Sequence, residues 1–174
     1  MRSKSAESGG SDADEHLEIL RMKTATLFEL PCRLGAELAG CDRAHVRALS
    51  RFGQELGIAF QLTDDLLDLV GDSARLGKPT GADLRAGVFS HSVLLALQQN
   101  PDGRLAELLR HENLTAPEAD EAAALVRGSG AVETTRELAR AYAGRAAAAL
   151  AELPEFPGHD VLADLTGHAV SRTR

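Results

Sequence analysis

Apolar residues recur at three- and four-residue steps along most of the chain, and no stretch alternates with the period of two that marks a half-buried strand. The clearest apolar stripe comprises Val46, Leu49, Phe52, Leu56, Phe60 and Leu67. This spacing turns one face of a helix toward a core. Alanine, leucine, glutamate and arginine are abundant and favour helix. The pattern therefore predicts an all-α protein, and the short connections predict antiparallel packing of its helices.

Glycine and proline divide this pattern into separate helices. The first predicted helix begins near Asp14, is disturbed at Pro31 and ends at about Ala39, where Gly40 stops it. A long second helix is predicted from about Asp42 to Val70. After a glycine-rich loop, further helices are predicted near 92–99, 103–111, 116–127, 131–152 and 159–170.

The N-terminal residues have a different composition from the remainder. Residues 1–13 are polar and rich in glycine and serine, which is typical of a flexible leader. Residues 14–174 are predicted to form a single helical domain. A chain of 174 residues with 44% hydrophobic residues is large enough to bury a core of its own.

Charge and hydropathy restrict the classes of partner. The 26 acidic and 19 basic residues give a net charge of -7, which argues against nucleic acid or an anionic membrane surface. The sequence has no apolar run of about 20 residues and no signal peptide, so we expect no membrane span and a cytoplasmic protein. Cys32 and Cys41 lack metal-ligand spacing and are expected to be reduced.

The segment FQLTDDLLD, residues 60–68, carries the candidate chemistry. On a helix, Asp64, Asp65 and Asp68 share one side with Gln61, so the three carboxylates are expected to converge on a common point. Their mutual repulsion calls for compensation, and Mg²⁺ prefers oxygen ligands and commonly bridges carboxylates to phosphate. The alternative is a solvated acidic face. Because apolar residues surround the motif, we expect these carboxylates to face a cleft.

The glycine-rich loop adds candidate cations. Gly77, Gly81 and Gly87 permit tight turns, while Lys78 and Arg85 present positive charge to a phosphate that the metal also holds. A Gly-Lys pair in a loop is more often a simple turn with an exposed lysine. The spacing from the aspartates favours diphosphate binding here.

Two segments together resemble a known family. Residues 57–87 are similar to the second aspartate-rich region of the trans-isoprenyl diphosphate synthases, the polyprenyl synthetase family. Residues 18–40 are similar to that family's helix with a Lys-Thr pair, here Lys23 and Thr24. The resemblance implies the C-terminal half of the isoprenoid synthase helical bundle, in which metal ions help an allylic prenyl diphosphate ionise before isopentenyl diphosphate attacks the cation.

The resemblance also implies roles for individual residues. Asp64, Asp65 and Asp68 would serve the Mg²⁺ site, and Thr24 and Gln61 would lie beside the reacting carbons. Lys23 and Lys78 would contact the allylic diphosphate, with Arg85 as a partial substitute for a cation that is missing. The alternative for Lys23 is an ordinary lysine on a helix surface.

The chain also departs from the family pattern. It has no second DDxxD motif, and Val88 stands where the family commonly has a lysine. We therefore expect a second protein subunit that carries the first aspartate-rich motif, little activity without it, and an exposed apolar surface where it docks. Two alternatives remain open: half of a split class I terpene synthase, and a non-catalytic regulatory subunit.

Overall fold

The computed structural model describes residues 12–70, 81–111 and 113–171, and all of its regular structure in these ranges is helical. The elements in chain order are α1 (Asp12–Leu20), a π-helical turn (Arg21–Ala25), α2 (Thr26–Leu38), α3 (Arg43–Val70), α4 (Ala82–Arg85), α5 (His91–Gln99), α6 (Arg104–Leu109), α7 (Ala116–Gly128), α8 (Ala131–Leu150) and α9 (His159–Ser171). The prediction of an all-α protein is confirmed. No helix in the described ranges is long and apolar enough to cross a membrane.

The predicted helix boundaries agree closely with the structure. The long second helix was expected from Asp42, and α3 begins at Arg43 because the side chain of Asp42 accepts the N–H groups of Ala44 and His45, both at 2.9 Å. The hydrogen bond from His45 also lowers the pKa of Asp42. Near the N-terminus, α1 includes Asp12 and Ala13, so the first helix begins just before its predicted start at Asp14. Residues 1–11 of the predicted leader lie outside the described residues.

The first predicted helix continues past Pro31 as expected, because Pro31 lies inside α2 without ending it. Proline removes one hydrogen bond from the carbonyl four residues earlier, which is that of Leu27. Leu27 is exposed, so water reaches this part of the helix. A change from α-helical to π-helical hydrogen bonding lies upstream, in the turn at Arg21–Ala25.

Helix α3 is the centre of the structure, with α2 packed along one side and α8 along another. Phe52 and Leu56 of the predicted stripe are buried, whereas the other four members are only half-buried. The fully buried positions Ile58, Ala59, Leu62 and Leu66 continue the core toward the aspartates. The long helix therefore keeps one buried, largely apolar face as it approaches its acidic end.

Two glycines allow α2 and the π turn to approach α3 very closely. A Cβ atom on Gly57 would lie 2.7 Å from Cα of Ala25, and one on Gly53 would lie 2.6 Å from the carbonyl oxygen of Phe28. Both distances are shorter than real contacts of this kind. The absence of a side chain at these two positions sets the separation of the two helices.

We predict that Gly57→Ala destabilises the protein by about 1–3 kcal/mol, because the added methyl group would push the π turn away from α3. The free energy of unfolding in urea measures this loss. Gly144→Ala is the matched control, since a Cβ there meets nothing within 4 Å and Gly144 lies inside α8. It should stabilise by roughly 0.5–1 kcal/mol through helix propensity. Equal effects at the two positions would contradict this account of the packing.

Candidate functional site

The π turn places Lys23 and Thr24 beside the middle of α3. Its wider ring is closed by the N–H group of Thr26, which donates to the carbonyl oxygen of Arg21. The Thr26 hydroxyl group supports the same turn, because it lies 3.1 Å from the carbonyl oxygens of both Arg21 and Met22. The buried Ala25 faces Gly57, which brings the neighbouring Thr24 within reach of α3.

A chain of hydrogen bonds joins Thr24 to the aspartate motif. The Thr24 hydroxyl group donates to Oε1 of Gln61 at 3.0 Å, and Nε2 of Gln61 donates to Oδ1 of Asp65 at 2.8 Å. All three side chains are half-buried. The structure thus brings together two predicted catalytic residues and one predicted metal ligand in a single ordered row, with the orientation of the Gln61 amide set at both ends.

Two histidines, neither of which the sequence analysis singled out, lie next to this row. Nε2 of His16 on α1 is 3.6 Å from Oδ2 of Asp65, and the rings of His16 and His91 are 6.2 Å apart between centroids. His91 is buried, and burial lowers the pKa of its imidazole, with a smaller contribution from the charge of His16. Asp65 therefore has an imidazole on one side and an amide on the other.

The other two aspartates of the motif have different surroundings, so the expected convergence of all three carboxylates is not found. Oδ1 and Oδ2 of Asp68 accept the N–H groups of Ala82 and Asp83, at 3.3 and 3.1 Å, while Asp64 is exposed. The N–H group of Gly81 also donates to the main-chain oxygen of Asp68, at 2.8 Å. Asp68 thus holds the start of α4 against the end of α3. The orientation of the Asp68 side chain is thus set by its hydrogen bonds to Ala82 and Asp83. The helical spacing of the three aspartates does not predict such long-range contacts.

The same contacts add a fourth carboxylate, that of Asp83, to the acidic end of α3. Burial raises the pKa of Asp83, and the negative charges of Asp68, Asp65 and Asp64 raise it further. The sequence contained a signal for this residue, because Asp83 belongs to the Asp-Leu pair of the glycine-rich loop. His16 gave no such signal, since it lies far upstream and only the packing of α1 brings it to Asp65.

The three residues predicted to supply positive charge, Lys23, Lys78 and Arg85, differ in what the structure shows of their surroundings. Lys23 is exposed on the π turn and makes no ion pair with a described residue, while Arg85 is half-buried at the end of α4. Val88, at the position where a lysine was expected, is exposed. Lys78 lies outside the described residues, so its predicted contact stays a prediction.

The donor set suits Mg²⁺, because it consists of carboxylate oxygens, which this ion prefers as ligands. Within residues 12–70, 81–111 and 113–171, however, no three potential ligands converge closely enough to hold a metal ion. The acidic end of α3 therefore gathers carboxylates without forming a closed set of ligands from the described residues alone. Asp64 and Asp65 belong to α3, and Asp83 adds negative charge from α4.

Comparisons with known proteins agree with the sequence motifs. The family model described as "Polyprenyl synthetase" matches residues 2–126, and the chain belongs to this family. Decaprenyl-diphosphate synthase from Dictyostelium discoideum is 36% identical over 174 residues, which is 100% of this chain and 37% of that protein. The recognition of the family from its two motifs is confirmed.

Solved structures confirm the fold. The polyprenyl synthase from Caulobacter crescentus in complex with calcium and isoprenyl diphosphate matches with a TM-score of 0.84 and 39% identity, over 95% of this chain and 51% of that chain. The geranylgeranyl pyrophosphate synthase from Corynebacterium glutamicum in complex with isoprenyl diphosphate and magnesium matches with a TM-score of 0.83 and 30% identity, over 94% of this chain and 48% of that chain. The chain thus spans about half the length of these solved structures.

We predict that Asp83→Asn raises the thermal unfolding midpoint at neutral pH. A carboxyl group whose pKa is raised in the folded state contributes stability below its unfolded pKa and loses it as the pH rises through the folded pKa. The variant avoids this loss, so its advantage should disappear as the pH falls to about 4. Asp164→Asn on α9 is the control and should show little change at any pH. A pH-independent effect of Asp83→Asn would contradict the charge cluster.

Proposed function

We propose that this chain is one subunit of a heteromeric trans-prenyl diphosphate synthase, in which it supplies the second aspartate-rich motif. The single observation that carries this proposal is the row of hydrogen bonds from Thr24 through Gln61 to Asp65, in a chain that belongs to the polyprenyl synthetase family. A purely structural helix pair needs neither this row nor the cluster of carboxylates beside it. The domain is proposed to begin with α1 at Asp12, two residues before the predicted boundary at Asp14, with the preceding residues as a leader.

The proposed substrate is an allylic prenyl diphosphate, bound at the acidic end of α3. Mg²⁺, when bound, would neutralise the diphosphate and stabilise the negative charge that it gains as the allylic carbon–oxygen bond breaks. Asp64, Asp65 and Asp68 are the residues proposed to hold it, although Asp68 would then share its oxygens with the N–H groups of α4. Asp65 is already oriented by Gln61, which reduces the entropy lost on metal binding.

The cationic residues are proposed to hold the diphosphate from the other side. Lys23 on the π turn, Lys78 in the loop and Arg85 on α4 would supply N–H donors that neutralise the leaving group. Lys23 suits this role because its ammonium group has no ion-pair partner among the described residues. Each cation would act on charge that develops during ionisation, and would therefore affect turnover more than substrate binding.

The pair formed by Thr24 and Gln61 is proposed to lie beside the reacting carbons. Its hydroxyl and amide dipoles are held by each other, so they do not need to reorient when the allylic cation forms. The alkene of isopentenyl diphosphate would form the new carbon–carbon bond with this cation, and loss of a proton would restore the double bond. A chain without the Thr24 hydroxyl group would leave the Gln61 amide free to turn.

A partner is part of the proposal because the described residues include no group of three side chains that could hold a metal ion by themselves. The chain covers 37% of the Dictyostelium relative and 51% of the Caulobacter structure, so about half of each relative has no counterpart here. We propose that the second subunit carries the first aspartate-rich motif and completes the site. The chain alone is then expected to have little or no activity.

The first functional prediction concerns the metal ligands. Asp64→Ala, in a complex of the chain with its partner, should lower Mg²⁺-dependent consumption of an allylic diphosphate by at least about a hundredfold, because the metal would lose a carboxylate ligand. Product analysis with and without isopentenyl diphosphate measures both the rate and the reaction type. Asp120→Ala, an exposed carboxylate on α7, is the control.

The outcomes separate this proposal from its alternatives. Turnover that requires isopentenyl diphosphate supports a synthase, whereas cyclised or hydrolysed product without it would indicate a terpene synthase. Full turnover by the isolated chain would overturn the two-subunit arrangement. Unchanged turnover in Asp64→Ala would overturn the metal assignment and leave a regulatory subunit as the better explanation.

The second functional prediction concerns the hydrogen-bond row. Thr24→Val has nearly the same shape as threonine but cannot donate to Gln61, so kcat should fall by about tenfold to a hundredfold with a smaller effect on KM. Thr24→Ser retains the hydroxyl group and should restore most of the rate. Equal losses in the valine and serine variants would show that packing of the methyl group matters, and not the hydrogen bond.

A further inference from the structure

The helix that carries Lys23 and Thr24 also has an exposed apolar stripe. Its side chains are between 42% and 88% exposed, an unusual range for large apolar residues on a single helical face. The stripe consists of Ile19, Met22, Leu27, Leu30, Leu34 and Leu38. It runs from α1 across the π turn and along the whole of α2.

The π turn keeps these six residues on one face. Successive members are separated by three, five, three, four and four positions, and the step of five, from Met22 to Leu27, spans the π turn. A five-residue step would leave the face of a regular α-helix, whereas the i→i+5 hydrogen bonds of a π turn bring the chain back to it. The local irregularity that positions Thr24 therefore also makes the stripe continuous.

The stripe is long enough for a partner helix. A helical segment of about 20 residues spans roughly 30 Å. Exposed apolar patches of about 300–600 Å² are already the largest on a typical monomer and often mark interaction sites. The stripe places six exposed large apolar side chains in the 20 residues from Ile19 to Leu38.

We propose that this stripe is the docking surface for a second polypeptide, a helical segment that carries the missing aspartate-rich motif and lays an apolar face along α1 and α2. This inference rests on the proposed function, because it specifies where the partner subunit binds. Lys23 and Thr24 lie on the same helix as the stripe, so a partner seated on it is also brought to the edge of the candidate site.

The lengths of the relatives favour this occupant. The chain superimposes on about half of the Caulobacter structure at 95% coverage of its own length, so the other half of that protein packs outside the elements described here. The two parts of one domain share a core, and an apolar helix face is the kind of surface that such a core requires. The stripe provides one on the helix next to the site.

Charge argues against a second copy of this chain as the occupant. Each copy carries a net charge of -7, so self-association would bring two acidic proteins together. A second copy would also present the same residues through a two-fold axis and would contribute no new aspartate-rich motif. The helical partner avoids both difficulties.

The test uses the full chain co-expressed with the part of the Caulobacter crescentus polyprenyl synthase that lies outside the matched half. Size-exclusion chromatography with light scattering should show a one-to-one complex. The double variant Leu30→Glu and Leu34→Glu should weaken binding by at least a hundredfold, because two carboxylates would have to enter an apolar contact. The matched control is Leu125→Glu with Val161→Glu, which changes two exposed apolar residues on α7 and α9.

Several results would overturn the proposal. Failure of the wild-type chain to bind the soluble segment would do so, as would equal binding by the stripe variant and the control variant. A wild-type homodimer that the stripe substitutions dissociate would identify a second copy as the occupant. Helical content and unfolding midpoint of each variant serve to show that the chain still folds.

The isolated chain provides a second measurement that needs no partner. An open apolar stripe should bind the dye anilinonaphthalene sulfonate, and the double stripe variant should lose most of that fluorescence while the control variant keeps it. Equal fluorescence in both variants would show that the stripe is not an open apolar face, and would overturn the proposal.

The two proposals fail in different ways. A complex that forms through the stripe but lacks Mg²⁺-dependent turnover would leave the docking surface in place and remove the proposed reaction. A catalytically active complex that is insensitive to the stripe substitutions would remove the docking surface and leave the reaction in place.

Discussion

The close contact between the first helical segment and α3 is the constraint on which the candidate site depends. Gly53 and Gly57 have no side chains, so the backbone at Ala25 and Phe28 comes within distances that any Cβ atom would prevent. At this separation a threonine hydroxyl group spans the gap to Gln61, which in turn reaches Asp65. A wider separation would break the row at its first hydrogen bond. Packing and chemistry therefore depend on the same two glycines.

The π turn reconciles two requirements of this segment. One face must fit against α3, and another carries exposed large apolar side chains from Ile19, near the end of α1, to Leu38, the last residue of α2. The extra residue of the π turn shifts the register between α1 and α2. The Thr26 hydroxyl group lies within hydrogen-bond distance of the carbonyl oxygens of Arg21 and Met22 in this widened turn. The distortion is thus supported locally, which explains how the helix continues through it.

Charge interactions dominate the end of α3, whereas apolar packing dominates the core. Four carboxylates lie close enough for Asp83 to experience the charges of the other three, and the imidazole of His16 is the basic group nearest to Asp65 in the described ion pairs. Such an arrangement is unfavourable unless a cation or a proton compensates it. The negative charge that raises the pKa of Asp83 is also what the proposed reaction would use, since a divalent ion bound there would neutralise it.

The sequence by itself determined the helical class, the positions of nearly all helices, the family and the residues of the hydrogen-bond row. These follow from local periodicity, from glycine and proline, and from motifs whose members are close in the chain. Only the tertiary structure decided that a π turn at Arg21–Ala25 joins α1 to α2, that Asp68 turns toward α4, and that His16 and Asp83 lie close to the aspartate motif. Each of these depends on contacts between residues far apart in the chain, and helical spacing holds no information about such contacts.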